Sequence, residues 1–303
     1  MKSKTYEEML RNCTLCPRNC GVNRLENELG FCNSGKKIKI AHVSLHMWEE
    51  PCISGSKGSG TIFFSNCNLK CVFCQNHKIS SSGYGKEFSI KELSDIMISQ
   101  QSKGAHNINL VTPTHYVPQI IEAIKLAKKN GLTIPIVYNT NSYENVETIG
   151  GLKDYIDIYL ADLKYFNGKY AQKYSNAPDY FSIAKNSISE MYRNVGSPDF
   201  DEKNIMQKGI IIRHLMLPGL LFDSKKIIDY IFNIYGDNVY LSLMNQYTPT
   251  FRSCEYPEIN KSINPKHYES LTEYCISKGI KNAFIQDEGT VSESFIPDFN
   301  KDF

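Results

Sequence analysis

Residues 65–76 read SNCNLKCVFCQN and place three cysteines, Cys67, Cys71 and Cys74, on one short loop. Three thiolates on such a loop can hold three irons of a four-iron cluster and leave the fourth iron without a protein ligand. Clusters that only transfer electrons normally take four cysteines, so this loop predicts a cluster with one iron free to bind a small molecule. A catalytic zinc keeps an open position for the same reason. The loop therefore indicates reactive metal chemistry.

A disulfide, a structural zinc ion or inert thiols would fit this loop less well. A disulfide scaffold is not expected, because the chain is long and its first residues, MKSKTYEEML, are no export signal. Structural zinc needs four ligands, and the loop offers three cysteines with His77 as the nearest further candidate. Inert buried thiols are not expected to cluster beside polar residues such as Asn66 and Lys70.

The composition narrows the class of protein. With 34 basic and 32 acidic side chains, the chain shows no electrostatic footprint for nucleic acid and no anchor for an anionic membrane. No apolar stretch approaches the ~20 residues of a membrane span. Ten cysteines without an export signal indicate a reducing cytoplasm and metal ligands instead of disulfides. We expect a soluble cytoplasmic metalloprotein that binds neither nucleic acid nor membranes.

Short apolar segments alternate with helical segments along the chain. The predicted strands cover residues 60–64, 107–111, 133–138, 157–161, 209–215, 238–243 and 282–286. Between them, SIKE at 89–92 is a capping box that begins a helix, Pro118 begins a second, and Asn264-Pro265 begins a third. This alternation predicts an α/β fold, an open, partial (β/α)6-type barrel of mainly parallel strands. We expect the barrel and a carboxyl-terminal tail over residues 59–303, and a small Cys-rich segment over residues 1–58.

Polar side chains are concentrated just past the predicted strands. Ligands bind at the carboxyl ends of parallel strands, so these side chains are expected to share one mouth of the barrel. Asp162 and Lys164 lie on the same side of their strand because strand side chains alternate with a period of two. The other candidates at this mouth are Thr112, Thr140, Arg213 and His214. Together they predict a site for a polar ligand.

The spacing of the three loop cysteines resembles that of the radical S-adenosylmethionine (SAM) superfamily. Further along the chain, DLK at 162–164, TN at 140–141 and RHLMLPG at 213–219 resemble glycyl-radical-enzyme activases, of which pyruvate formate-lyase activating enzyme is the best known. This resemblance covers roughly residues 59–219. With residues 13–32 and VTPTHYVP at 111–118 included, the chain resembles a group of pyruvate formate-lyase activating enzyme-like proteins.

The resemblance implies two cofactors and their ligands. The three loop cysteines would bind a [4Fe–4S] cluster, and SAM would bind next to it. The glycine-glycine-glutamate turn that meets the SAM amino group in activases is absent, so the hydroxyl of Thr112 or Thr114, or backbone carbonyls, would take its place. The other implied SAM contacts are Phe73 for adenine, Asp162 for the ribose hydroxyls, Lys164 for the carboxylate, Thr140 for the amino-acid end, and Arg213.

The resemblance also implies an activity. It is that of an oxidoreductase that reductively cleaves SAM to a 5′-deoxyadenosyl radical, which abstracts a hydrogen atom from a substrate. For an activase the substrate is a backbone glycine of a glycyl-radical enzyme, and the reductant is of the flavodoxin or ferredoxin type. Two alternatives stay open. One is a radical SAM enzyme that modifies a peptide or small molecule, and the other is a metal-binding or electron-carrier protein with no use for Asp162 and Lys164.

Four further cysteines precede the predicted barrel. Glycines between and after them permit the tight turns that wrap a metal ion. Tetrahedral zinc is the usual occupant of a four-thiolate site, and an auxiliary iron–sulfur cluster uses the same ligands. The sequence therefore predicts a second metal site, with zinc and iron both open, at Cys13, Cys16, Cys20 and Cys32.

Overall fold

One sheet organises the computed structural model, which describes residues 5–286. The predicted carboxyl-terminal tail from residue 287 onward lies outside the described residues. The strands are β1 (Ile38–His46), β2 (Ser59–Phe64), β3 (Lys86–Phe88), β4 (Ile108–Val111), β5 (Ile136–Thr140), β6 (Ile158–Asp162), β7 (Asp199–Phe200), β8 (Met206–Leu215), β9 (Tyr240–Met244) and β10 (Ala283–Ile285).

The strand order is β10-β9-β8-β6-β5-β4-β2-β1-β3, with β7 paired to β8 beside this path. All neighbours from β2 to β10 along the path run parallel, whereas β1 is antiparallel to β2 and β3 is antiparallel to β1. Within residues 5–286 the two outermost strands do not pair with each other, so the sheet stays open. The predicted partial barrel of mainly parallel strands is confirmed. Strand β1 is an addition that the sequence pattern does not predict.

The helices are α1 (Tyr6–Arg11), α2 (Pro51–Ser54), α3 (His77–Ser80), α4 (Ile90–Ser102), α5 (Val117–Lys129), α6 (Val146–Gly150), α7 (Gly168–Ser175), α8 (Tyr180–Val195), α9 (Leu221–Tyr235) and α10 (Pro265–Ser277). The capping box before α4 is confirmed, since the Ser89 hydroxyl accepts from the Glu92 N–H and the Glu92 carboxylate accepts from the Ser89 N–H. Among the described residues, no helix is long and apolar enough to cross a membrane.

The parallel strands are buried on both faces, as expected when crossover helices cover a sheet. All six residues of β2 and all five of β5 are buried. The helices pack apolar side chains against the strands, for example Ile120 of α5, Ile188 of α8 and Ile231 of α9, in one continuous core. This rigid core fixes where each strand ends, and therefore where the polar residues of the mouth lie.

The chain also closes the opposite end of the barrel. Because β1 is antiparallel to β2, the connection between them lies at the amino end of the parallel strands. Here residues 49–54, which we call the plug, enter the barrel. Cys52 and Ile53 of the plug pack against Val137, Ile158 and Met206, close to the start of β5, β6 and β8. The carboxyl edge of the sheet is therefore the accessible mouth.

Candidate active site

The three-cysteine loop directly follows β2 at the carboxyl edge of the sheet. Asn66 turns the chain with a left-handed φ of 75°, a conformation that asparagine tolerates better than most residues. The loop is fixed by two backbone hydrogen bonds, from the Val72 N–H to the Tyr174 carbonyl (2.9 Å) and from the Arg252 N–H to the Val72 carbonyl (2.9 Å). The cysteine loop thus lies at the barrel mouth, directly after the strand predicted over residues 60–64.

Each loop sulfur has a hydrogen-bonding group beside it. The partners are the Leu69 N–H for Cys67 (3.3 Å), the Ser175 hydroxyl for Cys71 (3.0 Å) and the Ser80 hydroxyl for Cys74 (3.2 Å). Hydrogen bonds to sulfur are one of the means by which proteins set the reduction potential of an iron–sulfur cluster. The surroundings of the three thiols therefore suit cluster ligands.

The three thiols are half-buried and interact electrostatically with one another. Burial, followed by the neighbouring Cys71 sulfur, raises the pKa of the Cys74 thiol to about 11, and the same causes raise the pKa of Cys67. A bound cation removes this penalty, because it deprotonates a thiol ligand. No three His, Cys, Asp or Glu side chains within residues 5–286 are arranged to share a single metal ion. A four-iron cluster does not require that arrangement, since each thiolate binds its own iron.

Asp162, at the end of β6, lies between two cations. Its Oδ1 accepts a hydrogen bond from Arg213 Nε (2.9 Å), and its Oδ2 accepts one from Lys164 Nζ (2.7 Å). The three side chains are only 14–19% exposed, so this is a mostly buried network and not a surface ion pair. An ionised carboxylate has about four acceptor positions. Two of those on Asp162 are used by these bonds, which leaves capacity for two hydroxyl donors.

The charges of this network stabilise one another. Burial acts to raise the pKa of Asp162, but Lys164 and Arg213 outweigh it and hold that pKa below its usual value. Burial acts to lower the pKa of Lys164, and Asp162 and Cys71 outweigh it in turn. Lys164 is therefore a charged ammonium between the carboxylate and the cysteine loop.

Two acids of the plug extend the network to the bottom of the barrel. Glu49 Oε2 accepts from Arg213 Nη1 (3.2 Å), and Glu49 Oε1 accepts from Asn109 Nδ2 (3.0 Å). Burial raises the pKa of both Glu49 and Glu50, and Arg213 opposes the rise. The sequence alone assigns neither acid a role, because their place in the barrel depends on the unpredicted strand β1. The charged groups form one chain from the plug to Asp162.

The predicted contacts Thr112 and Phe73 lie at the same edge. Thr112 follows β4 with φ of 58°, which is rare for a β-branched residue, and its N–H donates to the Asn139 carbonyl (2.9 Å). Backbone strain of this kind is concentrated at functional sites. Phe73 is buried and packs against Tyr247 with ring centroids 5.8 Å apart. The structure thus brings a strained turn and an aromatic wall close to the cysteine loop.

The hydroxyl of Thr140, the predicted contact for the amino-acid end of SAM, makes two hydrogen bonds within the protein. That hydroxyl donates to Glu144 Oε1 (2.5 Å) and accepts from the Ser142 N–H (3.1 Å). Thr114 also donates to Glu144 (2.6 Å). Burial raises the pKa of Glu144 to about 7, although these hydrogen bonds act to lower it. Both threonine hydroxyls therefore donate within the protein, and the Thr140 hydroxyl keeps one acceptor position.

His214 is a structural residue of β8. It is buried, and its ring nitrogens lie 2.7 Å from the Leu163 carbonyl oxygen and 2.9 Å from the Ser224 hydroxyl. Burial lowers its pKa to about 4, so the ring is neutral at physiological pH. It joins β8 to its neighbours and does not belong to the polar mouth.

The amino-terminal segment with Cys13, Cys16, Cys20 and Cys32 packs directly on the three-cysteine loop. Arg18 Nε donates to the Asn68 carbonyl (3.0 Å), and Asn66 Nδ2 donates to the Asn33 carbonyl (3.2 Å). The Arg18 guanidinium also lies 3.9 Å from the centre of the Phe31 ring. One small cavity in this segment is lined by Cys13, Cys16, Cys20 and Cys32. The two groups of cysteines are therefore neighbours in the fold.

Comparison with known proteins identifies the family of this fold and site. The sequence profile of the Radical SAM superfamily matches residues 61–231, which include the cysteine loop, the Asp162 network and strand β8. A Methanocaldococcus jannaschii protein, "Uncharacterized protein MJ0674", is 34% identical over 286 residues, which cover 90% of this chain and 77% of that protein.

Solved structures of similar fold include two of lower identity. Streptococcus suis SuiB bound to S-adenosylmethionine is 16% identical with a TM-score of 0.49, and the alignment covers 73% of this chain and 48% of SuiB. The chain thus spans about half the length of SuiB. A domain of pyruvate-formate lyase-activating enzyme from Bacteroides vulgatus is 14% identical with a TM-score of 0.41, covering 57% of this chain and 92% of that domain.

Proposed function

This chain belongs to the radical SAM superfamily, whose enzymes use a [4Fe–4S] cluster and SAM, and we propose that it activates a glycyl-radical enzyme. When bound, the cluster and SAM together supply a 5′-deoxyadenosyl radical by one-electron cleavage of the sulfonium, and a hydrogen atom of the substrate is the target of that radical. The cluster ligands in this proposal are Cys67, Cys71 and Cys74. The observation that carries it is the gathering of these thiols at the mouth beside the charged Asp162–Lys164 pair.

Asp162 and Lys164 bind the two polar ends of SAM in this proposal. Asp162 has unused acceptor positions for the two ribose hydroxyls while Arg213 and Lys164 keep it ionised. Lys164 pairs with the SAM carboxylate, since an ammonium and a carboxylate form a charge-assisted hydrogen bond. Arg213 orients Asp162 and does not need to touch SAM. Its Nη2 donates to Asn139 Oδ1 (2.6 Å), which fixes the guanidinium further.

The remaining contacts position SAM without charge. Phe73, held by Tyr247, supplies an apolar face for adenine. Thr112 presents backbone groups at the point where activases have the glycine-glycine-glutamate turn. Its left-handed backbone and its N–H bond to Asn139 fix the direction of those groups. This proposal therefore assigns the SAM amino end to backbone carbonyls after β4.

The closed bottom and open sides of the barrel support a polypeptide substrate. The plug seals the amino end with apolar contacts and keeps bulk water from entering there. A shielded site protects a reactive radical from side reactions. In the described residues, β3 and β10 leave the barrel open at its side. In this proposal a glycine-bearing loop of a partner protein enters at that opening and reaches the mouth.

The test combines product analysis with electron paramagnetic resonance (EPR). Wild-type protein, reconstituted anaerobically with iron and sulfide and reduced with dithionite or a flavodoxin, is expected to form 5′-deoxyadenosine from SAM. Mixed with a glycyl-radical enzyme, it is expected to leave a persistent glycyl-radical EPR signal on that partner. Cys71→Ala should abolish both results, whereas Cys254→Ala, at an exposed cysteine, should retain them. Active SAM cleavage with no glycyl radical on any such partner would contradict the activase assignment.

A second candidate is a radical SAM enzyme that modifies a peptide or small molecule. The charged interior favours it, because Arg213 has N–H groups beyond those bound to Glu49, Asp162 and Asn139, and these are able to bind an anionic substrate group. Release of 5′-deoxyadenosine that rises on addition of a small anionic substrate, without any partner protein, would favour this candidate over the first.

A further inference from the structure

We propose that a basic groove beside the three-cysteine loop, lined by Lys36, Lys37 and Lys39, is the docking surface for an acidic electron-donor protein. Radical SAM enzymes need a reductant, because the cluster takes up one electron before SAM is cleaved reductively. This docking surface rests on the cluster of the proposed function and not on the activase role.

The groove lies at the edge of the sheet where β3 is the outermost strand. Its walls are the end of the amino-terminal segment, the first residues of β1 with the two lysines before it, and the turn between α3 and β3. Its volume is about 590 Å³. Lys36 and Lys37 are exposed, and Lys39 is half-buried. The groove is therefore an accessible surface next to the barrel.

The three lysines give the groove a positive charge. Among the described residues that line it, Glu87 is the one acid. Within residues 5–286, Lys37 is the only one of the three lysines in an ion pair, from its Nζ to Glu87 Oε2 (3.0 Å), and these side chains are 70% and 59% exposed. So exposed a pair is weak, and all three lysines remain able to bind carboxylates of a partner. The whole chain is almost neutral, so this charge is local and fits an acidic protein patch better than nucleic acid.

Exposed apolar side chains accompany the charge. Leu29 lines the groove and is 57% exposed, and Tyr84, next to the lining residue Gly83, is 46% exposed. Protein interfaces combine apolar or aromatic contacts with a polar, charged rim. A small anion would need no exposed leucine or tyrosine. Electron-transfer partners associate through small interfaces, so a surface of this size suits such a protein.

Asn66 connects the groove to the cluster loop. It lines the groove and directly precedes Cys67, one of the proposed cluster ligands. Its Nδ2 donates to the Asn33 carbonyl (3.2 Å) and to the Ser34 hydroxyl (3.2 Å), which fixes it against the amino-terminal segment. A donor in the groove is thus one residue along the chain from a cluster ligand.

The mouth of the barrel is not available to the donor in the proposed function, because SAM and the substrate occupy it. Asp162 ends β6, which four strands separate from β3, and the described lining of the groove includes neither Asp162, Lys164 nor Arg213. In the transfer step the donor is oxidised by one electron and the cluster is reduced by one, and no bond or proton moves. The groove therefore lets the donor bind while SAM is in place.

The test uses a flavodoxin as the donor protein and two variants of equal net charge. The groove variant carries Lys36→Gln, Lys37→Gln and Lys39→Gln. The control variant carries the same change at three exposed lysines at or just beyond the ends of α4, α5 and α6, namely Lys103→Gln, Lys129→Gln and Lys153→Gln. Both variants and the wild type are reconstituted anaerobically with iron and sulfide.

Binding of oxidised flavodoxin is measured first, by flavin fluorescence at low salt. The Kd of the groove variant is expected to be about tenfold higher than that of the wild type and of the control variant, since complementary charge speeds association by about tenfold or more. Salt should weaken binding to the wild type more than binding to the groove variant. Glu87→Lys, which adds positive charge to the groove, should tighten binding.

SAM cleavage then separates docking from chemistry. With reduced flavodoxin below its Kd, the groove variant should form 5′-deoxyadenosine about tenfold more slowly than the wild type. With dithionite, which needs no docking surface, the two rates should be equal.

Three results would overturn the inference. They are wild-type affinity of the groove variant for flavodoxin, equally weakened binding in the control variant, and a loss of dithionite-driven cleavage as large as the loss of flavodoxin-driven cleavage. No cleavage by the wild type with either reductant would count against the proposed function instead, and the binding measurement would still decide whether the groove is the docking surface.

Discussion

Replacing Arg213 by methionine tests whether the buried charge network holds the barrel together. Arg213 pairs with Asp162 (2.9 Å) and with Glu49 (3.2 Å), and its removal leaves two mostly buried carboxylates short of a cation. Removing one partner of a buried pair costs about 3–5 kcal/mol. Asp162 keeps its ion pair with Lys164, so we expect Arg213→Met to lower the free energy of unfolding by about 4 kcal/mol. At about 2.1 cal/mol/K of unfolding entropy per residue, that lowers the Tm by about 6 °C.

The loss should depend on pH. Burial already raises the pKa of Glu49 and Glu50 in the folded protein, and without Arg213 these pKa values rise further. When the pKa of a carboxyl group is higher in the folded protein than its unfolded value of about 4.3, the group costs no stability at a pH below about 4.3, where it is protonated in both states. Above that pH the free energy of unfolding falls until the pH reaches the folded pKa. Arg213→Met should therefore lose more stability at pH 8 than at pH 5.5, measured by anaerobic thermal unfolding followed by circular dichroism.

A second substitution supplies the control. Glu49→Gln removes one stranded carboxylate, so adding it to Arg213→Met should recover part of the lost stability, although Glu49→Gln alone destabilises the protein. Coupling of this kind between contacting residues typically amounts to 0.5–3 kcal/mol, so about 1–2 kcal/mol is expected here. The reasoning would be refuted if the double variant lost as much stability as the sum of the two single variants, and if this loss were the same at pH 5.5 and pH 8.

Three further predictions follow from single sites. Burial raises the pKa of Glu144 to about 7, so the free energy of unfolding of the wild type should fall by about 3 kcal/mol between about pH 4.5 and pH 7. In urea titrations Glu144→Gln should reduce this pH dependence, and an unchanged pH dependence would contradict the prediction. Thr112→Gly should raise stability by about 1 kcal/mol by relieving the left-handed φ and should keep SAM cleavage, whereas loss of cleavage would show that the hydroxyl is needed. Asp162→Asn should weaken SAM binding at least about tenfold in anaerobic calorimetry, since a charged hydrogen bond is lost, and unchanged affinity would remove Asp162 from the site.

The parts of the fold that the sequence predicts are those set by local patterns. The alternation of strands and helices, the capping box at Ser89 and the cysteine loop depend on residues close together in the chain. The two-residue period of a strand puts Asp162 and Lys164 together, and they are indeed 2.7 Å apart. Such features can be predicted from the sequence because the interacting groups are close together in the chain.

The parts that the sequence does not predict depend on long-range pairing. Strand β1 is antiparallel to both of its neighbours, β2 and β3, and nothing in its alternation indicates that its partner is β2. Because β1 is not predicted, the position of the plug that follows it is not predicted either, and the sequence assigns no role to Glu49 and Glu50. The hydrogen bond from the Thr140 hydroxyl to Glu144, four residues later, is also not predicted. Sequence reasoning could have suggested this hydrogen bond, because Glu144 is an acidic residue just past the end of a predicted strand.

The most direct test of the central claim is the EPR spectrum of the reduced protein with and without SAM. If Cys67, Cys71 and Cys74 hold a cluster with one open iron, wild-type protein reduced with dithionite should give a [4Fe–4S]⁺ signal whose shape changes when SAM is added. Cys71→Ala should show no SAM-dependent change, and Cys254→Ala should behave as wild type. A wild-type signal that SAM leaves unaltered, or one that changes equally in Cys71→Ala, would contradict a SAM-binding cluster on this loop.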